Sequence, residues 1–287
     1  MTIAAGFKCV DGLVICSDTL ETMDYGKRRQ SKIVIKPRHN PPPGLPADIR
    51  RASDPTPPPP PPKPGPDCVA LFAGAGDAAF VDKLIDCLWS KMNRADSYDN
   101  KIDALENAAI EFYQKYWPIY PADIRPDAHL LVGLWTPEKR ELLRIAGPIV
   151  NKVDTYESIG FGRDMSKYLI DKLYLPTMSI RDTAIVANYV LDNVKEHVQY
   201  CGGDTTLASL NDKGQTQIVW DAEIEWGKKR FRKLDKAIGP LLVAIGDIEL
   251  TEEEFKKRIK DFTAEVDSLK SEVVNLRAAL DAWIDME

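Results

Sequence analysis

The order in which apolar periodicity changes along the chain restricts its fold more than any other feature: strands, two helices, strands, two helices, strands. Residues 2–9 and 13–18 alternate as two strands around Asp11-Gly12, a strong two-residue hairpin signal, with Ile3, Ala5, Phe7 and Cys9 on one face. A third apolar run spans Lys32–Lys36 and a fully apolar one Cys68–Phe72. Phe80, Val81, Leu84, Ile85, Leu88 and Met92 recur at helical spacing, as do Ile102, Leu105, Ala109, Phe112 and Tyr116 within a helix over 101–116. A hairpin over 129–135 and 140–146 follows, then helices near 164–174 and 179–198, then strands at 205–210 and 215–220. Each strand group must bury a face, and no βαβ series is visible. The expected fold is α+β: a four-layer αββα sandwich of two packed antiparallel sheets with helices outside, plus a long C-terminal helix or coiled coil.

Two segments depart from that pattern. Residues 37–67 contain a six-proline tract, Pro57–Pro62, and proline supplies no N–H to a sheet ladder. The segment reads as a solvated insertion between two strands, with docking to an SH3- or WW-like partner as the functional alternative. At the other end, Phe255, Ile259, Phe262, Val266, Leu269, Val273, Leu276, Leu280 and Trp283 step alternately by four and three. That seam has the 3.5-residue period of a coiled coil and would reach on the order of 50 Å as a helix. Thr251 and Glu254 form a capping-box start, and a fold-back of the seam onto its own domain is the alternative to a partner helix. The implied domains are 1–222, a connector over 223–250, and a heptad helix over 251–287.

Charge and composition exclude several roles. With 38 basic and 44 acidic residues the net charge is −6, which gives no footprint for nucleic acid or an anionic membrane. No apolar run approaches a membrane span, and no signal-peptide core opens the chain, so a cytoplasmic location is expected. The five cysteines (Cys9, Cys16, Cys68, Cys87, Cys201) are scattered and read as reduced, mostly buried thiols. Neither they nor the three histidines show ligand spacing, so no metal or other cofactor is expected.

Chemistry enters at position 2. Methionine ahead of a small residue is usually trimmed in cells, which would leave Thr2 with a free α-amine. Such a residue carries a nucleophilic hydroxyl and its own base. The Thr start, the Gly6-Phe7-Lys8 strand, the Asp11-Gly12 turn, Ser17-Asp18, Thr22, Lys32 and the segment Leu71-Phe-Ala-Gly-Ala-Gly-Asp77 together resemble proteasome β-type subunits and their bacterial proteasome-like relatives, the N-terminal-nucleophile (Ntn) hydrolases. The order of elements to about residue 220 fits that family as well. The prolyl insertion and the residues after about 222 have no counterpart in it.

This resemblance implies a threonine-type peptidase or amidohydrolase in a self-compartmentalised homo-oligomer acting on peptide or protein substrates. Thr2 would be the nucleophile, Lys32 would keep its hydroxyl electropositive, and Asp18 would hold Lys32. The Gly74 N–H would meet the oxyanion, and the Thr22 backbone would pair with an extended substrate. No ATP-binding loop is present, so energy-dependent unfolding would need a separate ATP-dependent partner. The chain also departs from the family pattern. Phe161 stands where a serine is usual, and Val198 and Cys201 stand where an aspartate and a serine are usual, with Cys201, Asp204 or ordered water as substitutes. Those departures motivate the alternative reading, a weak or inactive assembly subunit that interacts through its C-terminal helix.

Strand geometry sets an expectation of its own. A two-residue turn at Asp11-Gly12 places Asp18 opposite Ala5, about 10 Å along from Thr2 and on the wrong face. Contact between Asp18 and Thr2 would then require a bulge, with Lys32 long enough to bridge the two.

Overall fold

The computed structural model describes residues 2–23, 26–29, 31–37, 68–219 and 221–284; the side chains of 21–23, 26–29, 221–222 and 272–284 are not part of that description. The proline-rich insertion therefore lies outside the described residues, apart from Pro37. The chain divides into two compact units, Met1–Asp221 and Ala222–Glu287.

In the first unit, β1 (Ile3–Cys9), β2 (Gly12–Asp18), β10 (Tyr156–Gly160), β11 (Thr205–Asn211) and β12 (Thr216–Ile218) form one sheet in the order β10-β1-β2-β11-β12. A second sheet runs β5 (Ile33–Lys36), β6 (Val69–Gly76), β7 (Ala128–Trp135), β8 (Arg140–Ala146) and β9 (Ile149–Val153) in chain order. Every pairing is antiparallel. Helices α1 (Ala78–Met92) and α2 (Tyr98–Tyr116) cover the second sheet, while α3 (Arg163–Leu173) and α4 (Ile180–His197) cover the first. This is the αββα sandwich expected from the order of elements.

Burial on both faces explains why β6 is apolar without alternation. Cys68, Ala70 and Phe72 join Phe80, Leu84, Leu88, Leu105 and Phe112 under the helices. Val69, Leu71 and Ala73 join Leu13, Ile15, Leu131 and Leu142 between the sheets. Phe72 is fully buried, and burying a side chain of that size contributes about 1.5–3 kcal/mol. Asp77 caps α1 by accepting from Phe80 N at 2.9 Å, and Ser97 and Ser179 cap α2 and α4 in the same way. Sequence periodicity did not reveal β9, β10, or a small ribbon of β3 (Leu20–Met23) and β4 (Gly26–Arg29). β9 is an exposed edge strand with polar residues at its centre, so it carries little apolar signal.

The first hairpin corrects the geometric expectation. Cys9 pairs with Gly12, so the two turn residues are Val10 and Asp11 rather than Asp11 and Gly12. The register slides by two residues, and Asp18 comes level with Ile3 instead of Ala5. No bulge is needed. Gly12 is required for a different reason: a Cβ there would lie 2.4 Å from the Leu210 carbonyl oxygen and 3.0 Å from Asn211 Cα on the adjacent β11. Backbone on backbone cannot give way cheaply. The Gly12→Ala variant is expected to lose about 1–3 kcal/mol of unfolding free energy in urea titration, and an unchanged midpoint would show that β11 can retreat.

The second unit consists of α5 (Asp221–Gly246) and α6 (Glu252–Ile284), so the segment read as a connector is helical over most of its length. Thr251 and Glu254 cap α6 reciprocally: Glu254 N donates to Thr251 Oγ1 at 3.3 Å, and Thr251 N donates to Glu254 Oε2 at 3.1 Å. Arg230 Nη2 donates to the Leu269 carbonyl at 3.0 Å, and Arg258 Nη1 reaches the Pro240 carbonyl at 3.5 Å. These bonds tie α6 to α5 within the second unit. The side chains of Val273, Leu276, Leu280 and Trp283 lie outside the described residues.

Candidate active site

Thr2 precedes β1, Asp18 ends β2, and both belong to the first sheet. Lys32 precedes β5 and belongs to the second. Ile33 pairs with Ala73, which brings Lys32 level with Gly74 at the far end of β6. The site therefore forms at one end of the sandwich, where the two sheets meet.

There the side chains of Thr2, Asp18 and Lys32 bond directly to one another. Thr2 Oγ1 donates to Asp18 Oδ1 at 3.0 Å and accepts from Lys32 Nζ. Lys32 Nζ also donates to Asp18 Oδ1 at 2.7 Å and to the Leu20 carbonyl at 2.6 Å. The three donors of an ammonium thus have three acceptors, a set that fixes its position. Asp18 is fully buried and further accepts from Ile3 N at 3.2 Å and, through Oδ2, from Gly202 N at 3.0 Å. A buried carboxylate persists only when paired and hydrogen-bonded, and here four donors meet it. Thr2 itself is only 4% exposed.

The Thr2 main chain is held as well. Phe161 N donates to the Thr2 carbonyl at 2.7 Å. Gly160, just before it, has φ +90°, and a Cβ there would lie 2.2 Å from that same oxygen. A side chain at 160 is excluded by both conformation and space.

Two openings flank Thr2. A small hollow of about 60 Å³ has Lys32, Gly74, Val34, Val81 and Ile85 on its walls. A larger cleft of about 280 Å³ is lined by Gly160, His129, Arg144, Ser158 and Arg163 among others. Thr2, Ala75 and Gly76 border both. Gly74 thus shares an opening with Thr2 and Lys32. Thr22 lies in the β3–β4 ribbon with its backbone opposite Lys27, and its side chain lies outside the described residues.

The positions that depart from the family pattern take other roles. Phe161 is 55% exposed and meets Tyr200 edge-on at 5.6 Å, so an aromatic pair occupies that rim. Cys201 is buried, and its thiol is pushed up to about 11, first by burial and then by the charge of Asp18. It is a neutral group beside the site. Asp204 meets Thr19 through the backbone: Asp204 N donates to Thr19 Oγ1 at 2.8 Å, and Thr19 N donates to the Asp204 carbonyl at 3.0 Å. Sequence reasoning did not single out Gly160, Leu20 or Gly202, all of which act through backbone atoms. The Gly202-Gly203 pair was the one local signal, because adjacent glycines mark a tight backbone approach. Among the described residues no group of His, Cys, Asp and Glu is arranged to hold a metal ion, and no helix is long and apolar enough to cross a membrane.

No protein-family model matches the sequence, and no curated protein does. Solved structures do share its fold. An Anbu (Gly-1) mutant from Hyphomicrobium sp. strain MC1 superposes with a TM-score of 0.63 at 13% identity, covering 88% of this chain and all of that one. Anbu from Yersinia bercovieri, described as an ancestral β-subunit, gives 0.59 at 13% identity over 79% of this chain and 94% of its own. A helical assembly of the Anbu complex from Pseudomonas aeruginosa gives 0.62 at 14% identity, over 84% and 95%. The resemblance to proteasome β-type subunits is thereby corrected: the likeness runs to Anbu proteins, a distinct family. The physical reason is that the residues carrying the resemblance are few and sit where this fold closes on itself. They do not separate one family of the fold from another.

Proposed function

We propose that the chain is a threonine-type amide hydrolase that uses the hydroxyl of Thr2, once Met1 is removed, as nucleophile and the freed α-amine as base. The observation that carries this reading is the direct contact of Thr2 Oγ1 with both Lys32 and the buried Asp18 at the border of two openings. An ammonium beside the hydroxyl stabilises the alkoxide as it forms, and Asp18 holds that ammonium in place. The proton from Oγ passes to the α-amine, directly or through water.

Oγ then bonds to the substrate carbonyl carbon, whose oxygen becomes an anion facing the Gly74 N–H. One such donor is typically worth about 2.7–4 kcal/mol in the transition state. Collapse breaks the C–N bond, the α-ammonium returns its proton to the departing amine, and water hydrolyses the ester to regenerate Thr2.

We place this chemistry in an oligomer. The solved helical assembly of the Anbu complex supports that placement, as do the exposed side chains of Tyr168, Leu175 and Ile185 on and after α3 and on α4. The test is covalent. A peptide epoxyketone, which requires a hydroxyl and an adjacent free amine, is expected to add to Thr2 of protein purified from cells, as read by peptide mass. Retained Met1, or an adduct elsewhere, would refute the mechanism. A chain that assembles but neither labels nor turns over would be a non-catalytic assembly subunit.

A further inference from the structure

The larger cleft beside Thr2 has features that the hydrolytic mechanism leaves unused. Arg144 Nε is buried without a partner within the protein, and so is His129 Nδ1. These two side chains and Arg163 line one cleft. Its one acidic lining residue, Asp127, approaches the other ring nitrogen of His129 at 3.1 Å. Glu157 approaches Arg144 at 3.5 Å and is shared with Lys167 at 2.7 Å. Arg163 meets its neighbour Asp164 through Nε at 3.1 Å. A guanidinium has five donors, so both arginines keep N–H groups beyond these contacts.

We infer that this cleft takes a carboxylate on the amine-leaving half of the substrate, received by Arg144 and Arg163. The inference rests on the threonine-hydrolase reading above, which puts the acyl carbonyl toward Gly74 and Lys32 in the small hollow. The leaving half then passes to the opposite side of Thr2, where Gly160 and Arg163 border the cleft. A carboxylate suits the lining because it is planar and accepts two parallel hydrogen bonds from a guanidinium. Donors left unpaired by a neutral analogue make a buried site of this kind discriminate strongly. The substrate class is therefore a short amide whose leaving amine carries an acid group close to the scissile bond. That acid is either the terminal carboxylate of an amino acid or dipeptide, or an acidic side chain.

The test uses full-length protein with Met1 shown by mass to be absent and three substrates sharing one acyl half. The leaving halves end in a free carboxylate, in a carboxamide, or in a carboxamide following a glutamate. The expected result is a kcat/KM about ten-fold or more higher for a carboxylate-bearing substrate than for the neutral one. Comparison of the first and third substrates tells whether the terminal or the side-chain acid is used. In Arg144→Gln, and independently in the more exposed Arg163→Gln, that preference is expected to fall toward unity. Equal rates for all three substrates, or a preference that survives the variants, would overturn the inference. Should no substrate turn over, calorimetric binding of the same acid and amide peptides to Thr2→Ala protein decides the point. Tighter acid binding that is lost in Arg144→Gln sustains the cleft assignment even as hydrolysis fails, and equal binding removes it.

Discussion

Thr2→Ala is expected to abolish amide hydrolysis, lowering kcat by about 10⁴-fold or more, the scale on which removing a covalent nucleophile acts. Alanine still permits removal of Met1, so the α-amine remains and the hydroxyl alone is lost. The fold should persist, because the deleted group contributes one hydrogen bond to Asp18, which retains Lys32 and two backbone donors. Thr2→Ser keeps the hydroxyl and is expected to stay within about ten-fold of the parent, since serine serves as nucleophile in the same chemistry. The measurement is single-substrate kinetics with far-UV circular dichroism as the control. Turnover unchanged in Thr2→Ala would locate the reaction elsewhere, whatever the serine variant does.

Asp18→Ala should damage stability and activity together. Removing the carboxylate leaves the Lys32 ammonium, which is 14% exposed, without its counter-charge, and leaves Ile3 N and Gly202 N without their side-chain acceptor. Breaking one side of a buried ion pair costs about 3–5 kcal/mol, because the surviving charge stays desolvated. That is a large fraction of a domain's net stability, so the urea midpoint should fall sharply. Activity should fall beyond the loss of folded protein, since Lys32 would be held only by Leu20 and Thr2. Asp18→Asn separates the two effects. Its side-chain oxygen can still accept hydrogen bonds, so it should recover much of the stability while leaving kcat low. An asparagine variant with full kcat would show that the charge of Asp18 is dispensable and that only its shape matters.

The hairpin carrying Thr2 and Asp18 shows where reading the chain succeeds and where it stops. Alternation marked both strands, because it reports a face buried along one segment. It misplaced the turn by one residue, because Asp11-Gly12 is a common turn pair and nothing local says that Gly12 is needed for the approach of β11 instead. The 10 Å separation of Asp18 from Thr2 followed from that slip and vanishes in the observed register. The cleft was invisible for a related reason. Arg144 and Arg163 occupy β8 and the start of α3, elements packed on different sheets, and neither stands in a motif. The wrong family within the right fold has the same root, since a handful of site residues is shared more widely than one family.

By itself the sequence determined the order of the main strands and helices, the capping box at Thr251 and Glu254, and the residues capable of chemistry. Each of these depends on the period of neighbouring side chains or on hydrogen bonds a few residues long. Only the tertiary structure decided that Lys32 of one sheet touches Thr2 and Asp18 of the other, and that Gly160 and Gly202 close around them. Those contacts join residues 14 to 184 positions apart, and they exist because two sheets bury their apolar faces against each other. That packing brings the ends of β1, β2, β5, β6 and β10 to one place, a consequence no local pattern encodes.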